Sequence, residues 1–289
     1  MVNIRQLIKK GIKLAFAKRP VYTTVNVVTL PPNELLKGRF ALITGGTSGI
    51  GYAIAELFLK SGASVCITGR SQERIDDTCN KLKSIIPTSK EHVYGMMLDS
   101  RNVSSYASTI NHILRMEGKI DILVNNAGVL GGHISNATVE EYDNVLDTNL
   151  KGTFFLSQMI GKYMKAHQIK GNILNIASSS SLRPAVSAYT LSKWGIRGLT
   201  LGLAKTLAPY GITVNGVAPG PTATPMLMKG DRHNITHDGL PAGRYALPEE
   251  IANMALFLVS DMGRMVVGDI VYMTGGAALF TFEDMTYTF

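Results

Sequence analysis

From Arg39 onward the chain alternates short apolar runs with helical stretches, and no other feature limits its fold as strongly. Strand-like runs are read at Phe40–Thr44, Ser64–Thr68, Val93–Leu98, Ile120–Asn125, Asn172–Ala177, Thr213–Val217 and Asp269–Met273. Helical stretches separate them at Ile50–Lys60, Gln72–Ile85, Val103–Met116, Glu140–Lys165, Ala188–Leu207 and Pro248–Ser260. Short apolar strands joined by helices imply a parallel sheet buried on both faces, because each crossover helix must cover one of them. The pattern therefore predicts an α/β fold: a single doubly wound Rossmann-type domain, a seven-stranded parallel sheet with helices on both faces. The domain is expected over residues 38–289, behind an N-terminal extension and linker of residues 1–37.

Charge separates the extension from the body. Residues 1–39 hold eight basic side chains against Glu34 alone, whereas the rest carries 21 basic and 20 acidic ones. The net charge of +8 thus belongs to the front of the chain, which argues against a nucleic-acid-binding body. Asn3 to Arg19 reads as a basic amphipathic helix, with Ile4, Leu7, Ile8 and Leu14 on one arc and Lys9, Lys10 and Lys13 opposite. Such a helix is expected to dock on its own body or a sister subunit; a peripheral membrane contact or an acidic partner is the alternative for residues 1–19. Two cysteines, Cys66 and Cys79, give no disulfide framework, and the histidines show no metal-ligand spacing, so no metal is expected. No apolar run is long enough to span a membrane. A cytoplasmic protein is expected, or one held at a membrane surface through its first residues.

Two stretches carry chemistry on residue type alone. Thr44-Gly45-Gly46-Thr47-Ser48-Gly49-Ile50-Gly51 follows a strand and opens a helix. Glycines let backbone approach a pyrophosphate there, and the helix N-terminus offers N–H groups and positive dipole. Tyr189 and Lys193, four apart in a helical stretch, share one face. An ammonium about 4 Å from a phenol is worth about 4 kcal/mol at an effective dielectric near 20, enough to lower a tyrosine pKa toward neutrality. The long segment from Pro219 to Leu247 breaks the alternation, follows a strand and holds Met226, Met228, His233 and His237, which marks it as the expected substrate loop.

The ordered motif set resembles the classical short-chain dehydrogenases/reductases. Thr-Gly-x-x-x-Gly-x-Gly at Thr44–Gly51 is followed by Asn125-Asn126-Ala127-Gly128, Asn149, serines from Ser178, Tyr189-x-x-x-Lys193 and Pro219-Gly220, across about residues 38–277. The resemblance implies an NAD(P)-dependent oxidoreductase that interconverts a carbonyl and a secondary alcohol, acting on a 3-oxoacyl thioester or another ketone. It implies a catalytic set of Asn149, Ser178, Tyr189 and Lys193, with Asn149 holding a water that links the lysine to solvent. Ser178 is chosen over its neighbours by the strand Asn175-Ile176-Ala177, which requires a loop two residues shorter than the family usually has before Tyr189. Cofactor contacts are implied for Gly45, Thr47, Ser48, Gly49, Ile50, Gly51, Asp99, Asn126, Ala127, Gly128, Tyr189, Lys193, Pro219, Gly220 and Thr222.

The second strand ends in Gly69-Arg70, without the carboxylate that would bind an NAD ribose, so Arg70 predicts NADP in preference to NAD. Two other readings compete: a cofactor-binding regulatory protein without turnover, which would be expected to lack the tyrosine or lysine, and a nucleotide-sugar epimerase-like relative, whose glycine spacing differs. A homodimer or homotetramer is expected, because Phe280, Phe282, Tyr287 and Phe289 crowd the last ten residues.

Overall fold

The seven apolar runs become seven strands: β1 (Phe40–Ile43), β2 (Ser64–Gly69), β3 (Val93–Met97), β4 (Ile122–Asn125), β5 (Asn172–Ile176), β6 (Thr213–Pro219) and β7 (Ile270–Met273). They pair in parallel throughout, in the order β3-β2-β1-β4-β5-β6-β7. The computed structural model describes residues 32–85, 92–228 and 235–277. The predicted helix of residues 3–19, the aromatic residues of the tail and His233 lie outside them.

The helices are α1 (Gly49–Lys60), α2 (Gln72–Ile85), α3 (Tyr106–Glu117), α4 (Val139–Leu146), α5 (Gly152–Ala166), α6 (Ala188–Leu207) and α7 (Pro248–Val259). Side chains alternate across the sheet, and β1 feeds both cores. Ala41 and Ile43 of β1 join Ile54 and Phe58 of α1, Ile75 of α2 and Ile251 and Leu258 of α7 on one face. Phe40 and Leu42 join Ile110 and Ile113 of α3, Leu156 and Ile160 of α5 and Ala204 of α6 on the other. β1 is buried at all four positions, as a strand covered on both faces must be.

Two predicted helices are subdivided. Val103–Met116 begins as a single 3-10 turn, Val103–Ser105, before α3. Glu140–Lys165 is three pieces: α4, a π turn at Asp147–Lys151 and α5. The apolar period continues through the break, so the sequence shows one helix; the extra residue of a π turn leaves no mark in hydrophobic spacing. Thr138 caps α4 through a reciprocal pair with Glu141, so the helix starts one residue before the expected Glu140.

Buried amides tie the strands to the helices that carry the site. Asn125 Nδ2 donates to Asn175 Oδ1 and to Ser157 Oγ of α5, each at 2.8 Å. Asn175 Nδ2 donates to Thr200 Oγ1 of α6 at 2.9 Å. These bonds fix α6 against the ends of β4 and β5, and leaving any of them unmade in the core would cost about 1–3 kcal/mol.

Candidate active site

The turn after β1 is built by contact with the loop after β4. Gly45 adopts φ +65°, open to glycine at little cost. A Cβ there would lie 2.9 Å from Ala127 Cα, so the two backbones touch. Thr44 locks the junction: its Oγ1 accepts from the N–H groups of Asn126 and Ala127, both at 3.0 Å. Asn126 Nδ2 donates back to the carbonyls of Thr44 and Gly45, at 2.9 and 3.0 Å. Asn126 is therefore a clasp on the glycine turn as well as a lining residue. Gly51 lies behind the turn, where a Cβ would stand 2.5 Å from the Gly45 carbonyl oxygen. It does not line the cavity. This corrects the sequence assignment: Gly51 serves the site by letting α1 approach the turn.

A cavity of about 790 Å³ opens at the carboxyl ends of the strands, where the sheet order reverses between β1 and β4, the place where open α/β sheets bind ligands. Gly45, Thr47, Ser48, Gly49 and Ile50 line it at the start of α1. On the β2–β3 side it is lined by Arg70 and Asp99, and on the β5–β6 side by Ser178, Tyr189, Lys193, Pro219, Gly220 and Thr222. Ala127 and Gly128 complete the wall after β4.

Arg74, which the sequence reading passed over, lines the same mouth as Arg70 and Ser71. Its signal was a second basic residue in the first turn of the helix that opens just after Arg70. Opposite, Arg101 grips Asp99 through its guanidinium, Nε to Oδ1 at 3.0 Å and Nη2 to Oδ2 at 2.6 Å. These hydrogen bonds, with the Arg70 charge nearby, hold the Asp99 carboxyl below its ordinary range. Asp99 thus reaches the cavity already paired.

The chemistry-bearing side chains meet on α6 and the end of β5. Ser187 caps α6, its Oγ accepting from Thr190 N–H at 3.2 Å. One turn on, Tyr189 and Lys193 face the cavity together. Lys193 is buried, its Nζ donating to the Ile176 carbonyl at 2.8 Å and lying 5.6 Å from the Tyr189 ring centre. Burial lowers its pKa to about 8. Ser178, just past β5, lines the cavity together with Tyr189, and its Oγ accepts from Ser180 N–H at 3.1 Å. Ser181 is turned away, donating to the Ser178 carbonyl and pairing with Tyr272. Ser178, chosen from strand register, lines the cavity, as do Ser179 and Ser180.

One expectation at this cluster needs correction. Burial raises the Tyr189 pKa, and the Ser178 side chain only partly offsets it. The lysine does not lower it as spacing suggested, because the pocket that brings the two together also withdraws water from both. Asn149 sits in the π turn, and its side chain is committed elsewhere. Its Oδ1 accepts from Val129 N–H at 2.9 Å, and its Nδ2 donates to the Val129 carbonyl at 3.0 Å and to Ser192 Oγ at 3.1 Å. It ties the loop after β4 to α6 from outside the cavity wall.

The cavity suits a dinucleotide on three counts. Its volume is within the range of cofactor sites, its glycine turn meets a helix N-terminus, and the buried Thr148 Oγ1 at its wall has no hydrogen-bond partner in the protein. Among the described residues no group of His, Cys, Asp or Glu side chains is arranged to hold a metal ion, and no helix is long and apolar enough to cross a membrane.

The chain is similar in sequence and fold to known proteins. A family model described as Enoyl-(Acyl carrier protein) reductase matches residues 45–278. A 3alpha-hydroxysteroid dehydrogenase of Mediterraneibacter gnavus is 38% identical over 248 residues, covering 84% of this chain and 98% of the relative. The structure of a 3-ketoacyl-(acyl-carrier-protein) reductase from Brucella melitensis complexed with NADH superposes with a TM-score of 0.75 at 29% identity, covering 84% of this chain and 100% of that one. A short chain dehydrogenase from Burkholderia cenocepacia in complex with NADP gives 0.73 at 30% identity, covering 83% and 98%. A phosphate-binding turn and a Tyr189/Lys193 pair on one cavity, in a fold and sequence shared over nearly the whole length of these relatives, leave one conclusion: the chain belongs to the short-chain dehydrogenase/reductase family of NAD(P)-dependent oxidoreductases.

Proposed function

We propose that the protein reduces a ketone to a secondary alcohol with NADPH, or runs the reverse oxidation, using Tyr189, Ser178, Lys193 and Asn149. The observation that carries this reading is the convergence of Ser178, Tyr189 and the buried Lys193 on one cavity wall. When bound, the reduced nicotinamide supplies hydride to the carbonyl carbon. Tyr189 gives its phenolic proton to the carbonyl oxygen, and the alcohol is complete. Burial favours this direction, since it keeps the phenol protonated at neutral pH. Ser178 Oγ donates a hydrogen bond to the same oxygen as negative charge develops on it. Lys193 holds the cofactor ribose and returns a proton toward Tyr189. Asn149 keeps the loop after β4 and α6 in register and supports that relay.

For the cofactor, Gly45 and Thr47–Ile50 take the pyrophosphate, and Asp99 with Asn126–Gly128 the adenosine side. Pro219, Gly220 and Thr222 border the reacting end. Arg70 supports NADP over NAD: neither it nor Arg74 has an ion-pair partner among the described residues, and a guanidinium fork suits a 2′-phosphate. Arg70→Ala is expected to reduce the preference for NADPH by about one to two decades; tighter binding of NADH than NADPH by the wild type in calorimetry would sink this part of the reading. The relatives' names support a 3-oxoacyl thioester or a steroid-like ketone as substrate. An NADPH-oxidation panel over 3-oxoacyl thioesters, steroid ketones and sugar-like ketones tests the whole. Turnover is expected in one of the first two classes, with at least about a 10²-fold loss in Tyr189→Phe; undiminished turnover in that variant would refute the assigned role.

A further inference from the structure

Beyond the reacting groups, one charged side chain lines the β5–β6 part of the cavity with no function in the scheme above. Arg183 stands six residues before Tyr189, in the shortened loop between β5 and α6. Its backbone is pinned from both sides: its N–H donates to the Ser180 carbonyl at 3.2 Å, and its carbonyl accepts from Trp194 Nε1 at 2.8 Å. Trp194 belongs to α6, so the arginine is fixed to the helix that carries Tyr189 and Lys193. Its guanidinium is exposed, and no ion pair among the described residues neutralises it. Asp99 is the one carboxylate on the cavity wall among the described residues; it lies on the β3 side and is held by Arg101.

The surrounding wall is apolar. Leu130, Met226 and Leu227 line the same cavity while remaining 46%, 45% and 47% exposed. Large apolar side chains left open on a cavity wall suit an apolar ligand body. An exposed, unpaired guanidinium on the same cavity suits a planar or tetrahedral oxyanion, which it can grip with two parallel N–H donors. A wholly neutral substrate would leave that charge partly desolvated and unmatched.

We infer that the substrate is amphiphilic: an apolar ketone body bearing an anionic group, carboxylate or phosphate, that pairs with Arg183. This rests on the ketone-reductase reading of the cavity and adds the specificity determinant. Arg183 is not placed at the reacting atoms; it acts on binding and orientation.

Two matched substrate pairs test it with the full chain and NADPH. A 3-oxoacyl 4′-phosphopantetheine thioester against the corresponding pantetheine thioester isolates phosphate, and a keto acid against its methyl ester isolates carboxylate. In at least one pair the wild type is expected to favour the anionic member by about 10- to 100-fold in kcat/KM, mostly through KM. Arg183→Ala should bring that ratio close to one, and Arg183→Lys should restore part of it. The pair that shows the effect identifies the source of the anion. Equal kcat/KM within both pairs, or a loss in Arg183→Ala that is the same for charged and neutral members, overturns the inference. Calorimetric binding of the same pairs to Tyr189→Phe protein saturated with NADP⁺ provides a readout without turnover. There, an anionic preference that disappears in the Tyr189→Phe/Arg183→Ala double variant supports the inference even if the wild type turns over neither pair, a result that would count against the ketone-reductase reading alone. Absence of the preference counts against Arg183 whatever the activity.

Discussion

Tyr189 and Lys193 share a desolvated wall, and burial drives both toward their neutral forms: the phenol upward and the ammonium down to about 8. For Tyr189 this preserves the proton it is proposed to donate. For Lys193 it is a cost to folding. The unfolded chain binds the lysine proton up to the ordinary pKa of 10.5, while the native chain releases it at about 8. Between those values the unfolded state binds more protons, so stability from this group rises with pH. At pH 7 the buried charge costs about 3 kcal/mol by the usual 1.36 kcal/mol per unit. Lys193→Met is therefore expected to be inactive yet to melt higher relative to wild type at pH 7 than at pH 10. Paired melting curves check it; an advantage that grows with pH would contradict the sign.

At the level of elements, the site depends on two departures from regular backbone. The π turn at Asp147–Lys151 carries Asn149, which reaches both the Val129 backbone and Ser192 of α6. The other departure is the glycine turn, where α1 approaches so closely that Gly51 admits no side chain without meeting the Gly45 carbonyl. Gly51→Ala is expected to cost about 1–3 kcal/mol of stability, the usual range for overpacking, and to weaken NADP binding, because relief of the clash must displace the pyrophosphate turn. Denaturant melts and cofactor titration measure the two effects; full stability with unchanged affinity would show that α1 can move away freely. Farther along, Arg244 pairs with Glu250 at 2.8 Å through both carboxylate oxygens and holds that carboxyl down to about 2. The pair anchors the end of the loop after β6 to the start of α7.

For the whole molecule, α5 and α6 leave Phe154, Phe155 and Leu201 exposed at 44%, 38% and 52%. Burying such side chains against another copy would stabilise an assembly by roughly 1.5–3 kcal/mol for each one fully covered. A homodimer or homotetramer is therefore the expected state, and light scattering at micromolar concentration checks it; a monomer would contradict it. The fold was legible from periodicity because a doubly covered parallel sheet demands continuous apolar strands, and α2 and α6 were bounded to the residue, at Gln72–Ile85 and Ala188–Leu207. The glycine turn, the Tyr189–Lys193 spacing and the register that selects Ser178 are likewise local properties of the chain. They hold wherever a strand leads into a helix. What the sequence could not decide depends on groups distant along the chain. Whether Asn149 faces the cavity turns on Val129 and Ser192, 20 and 43 residues away; what Gly51 touches turns on Asn126 as well as its own turn; and which way the Tyr189 pKa moves turns on water excluded by the assembled core. Spacing reports which side chains share a face; only packing determines what that face meets and how much solvent remains to support a charge.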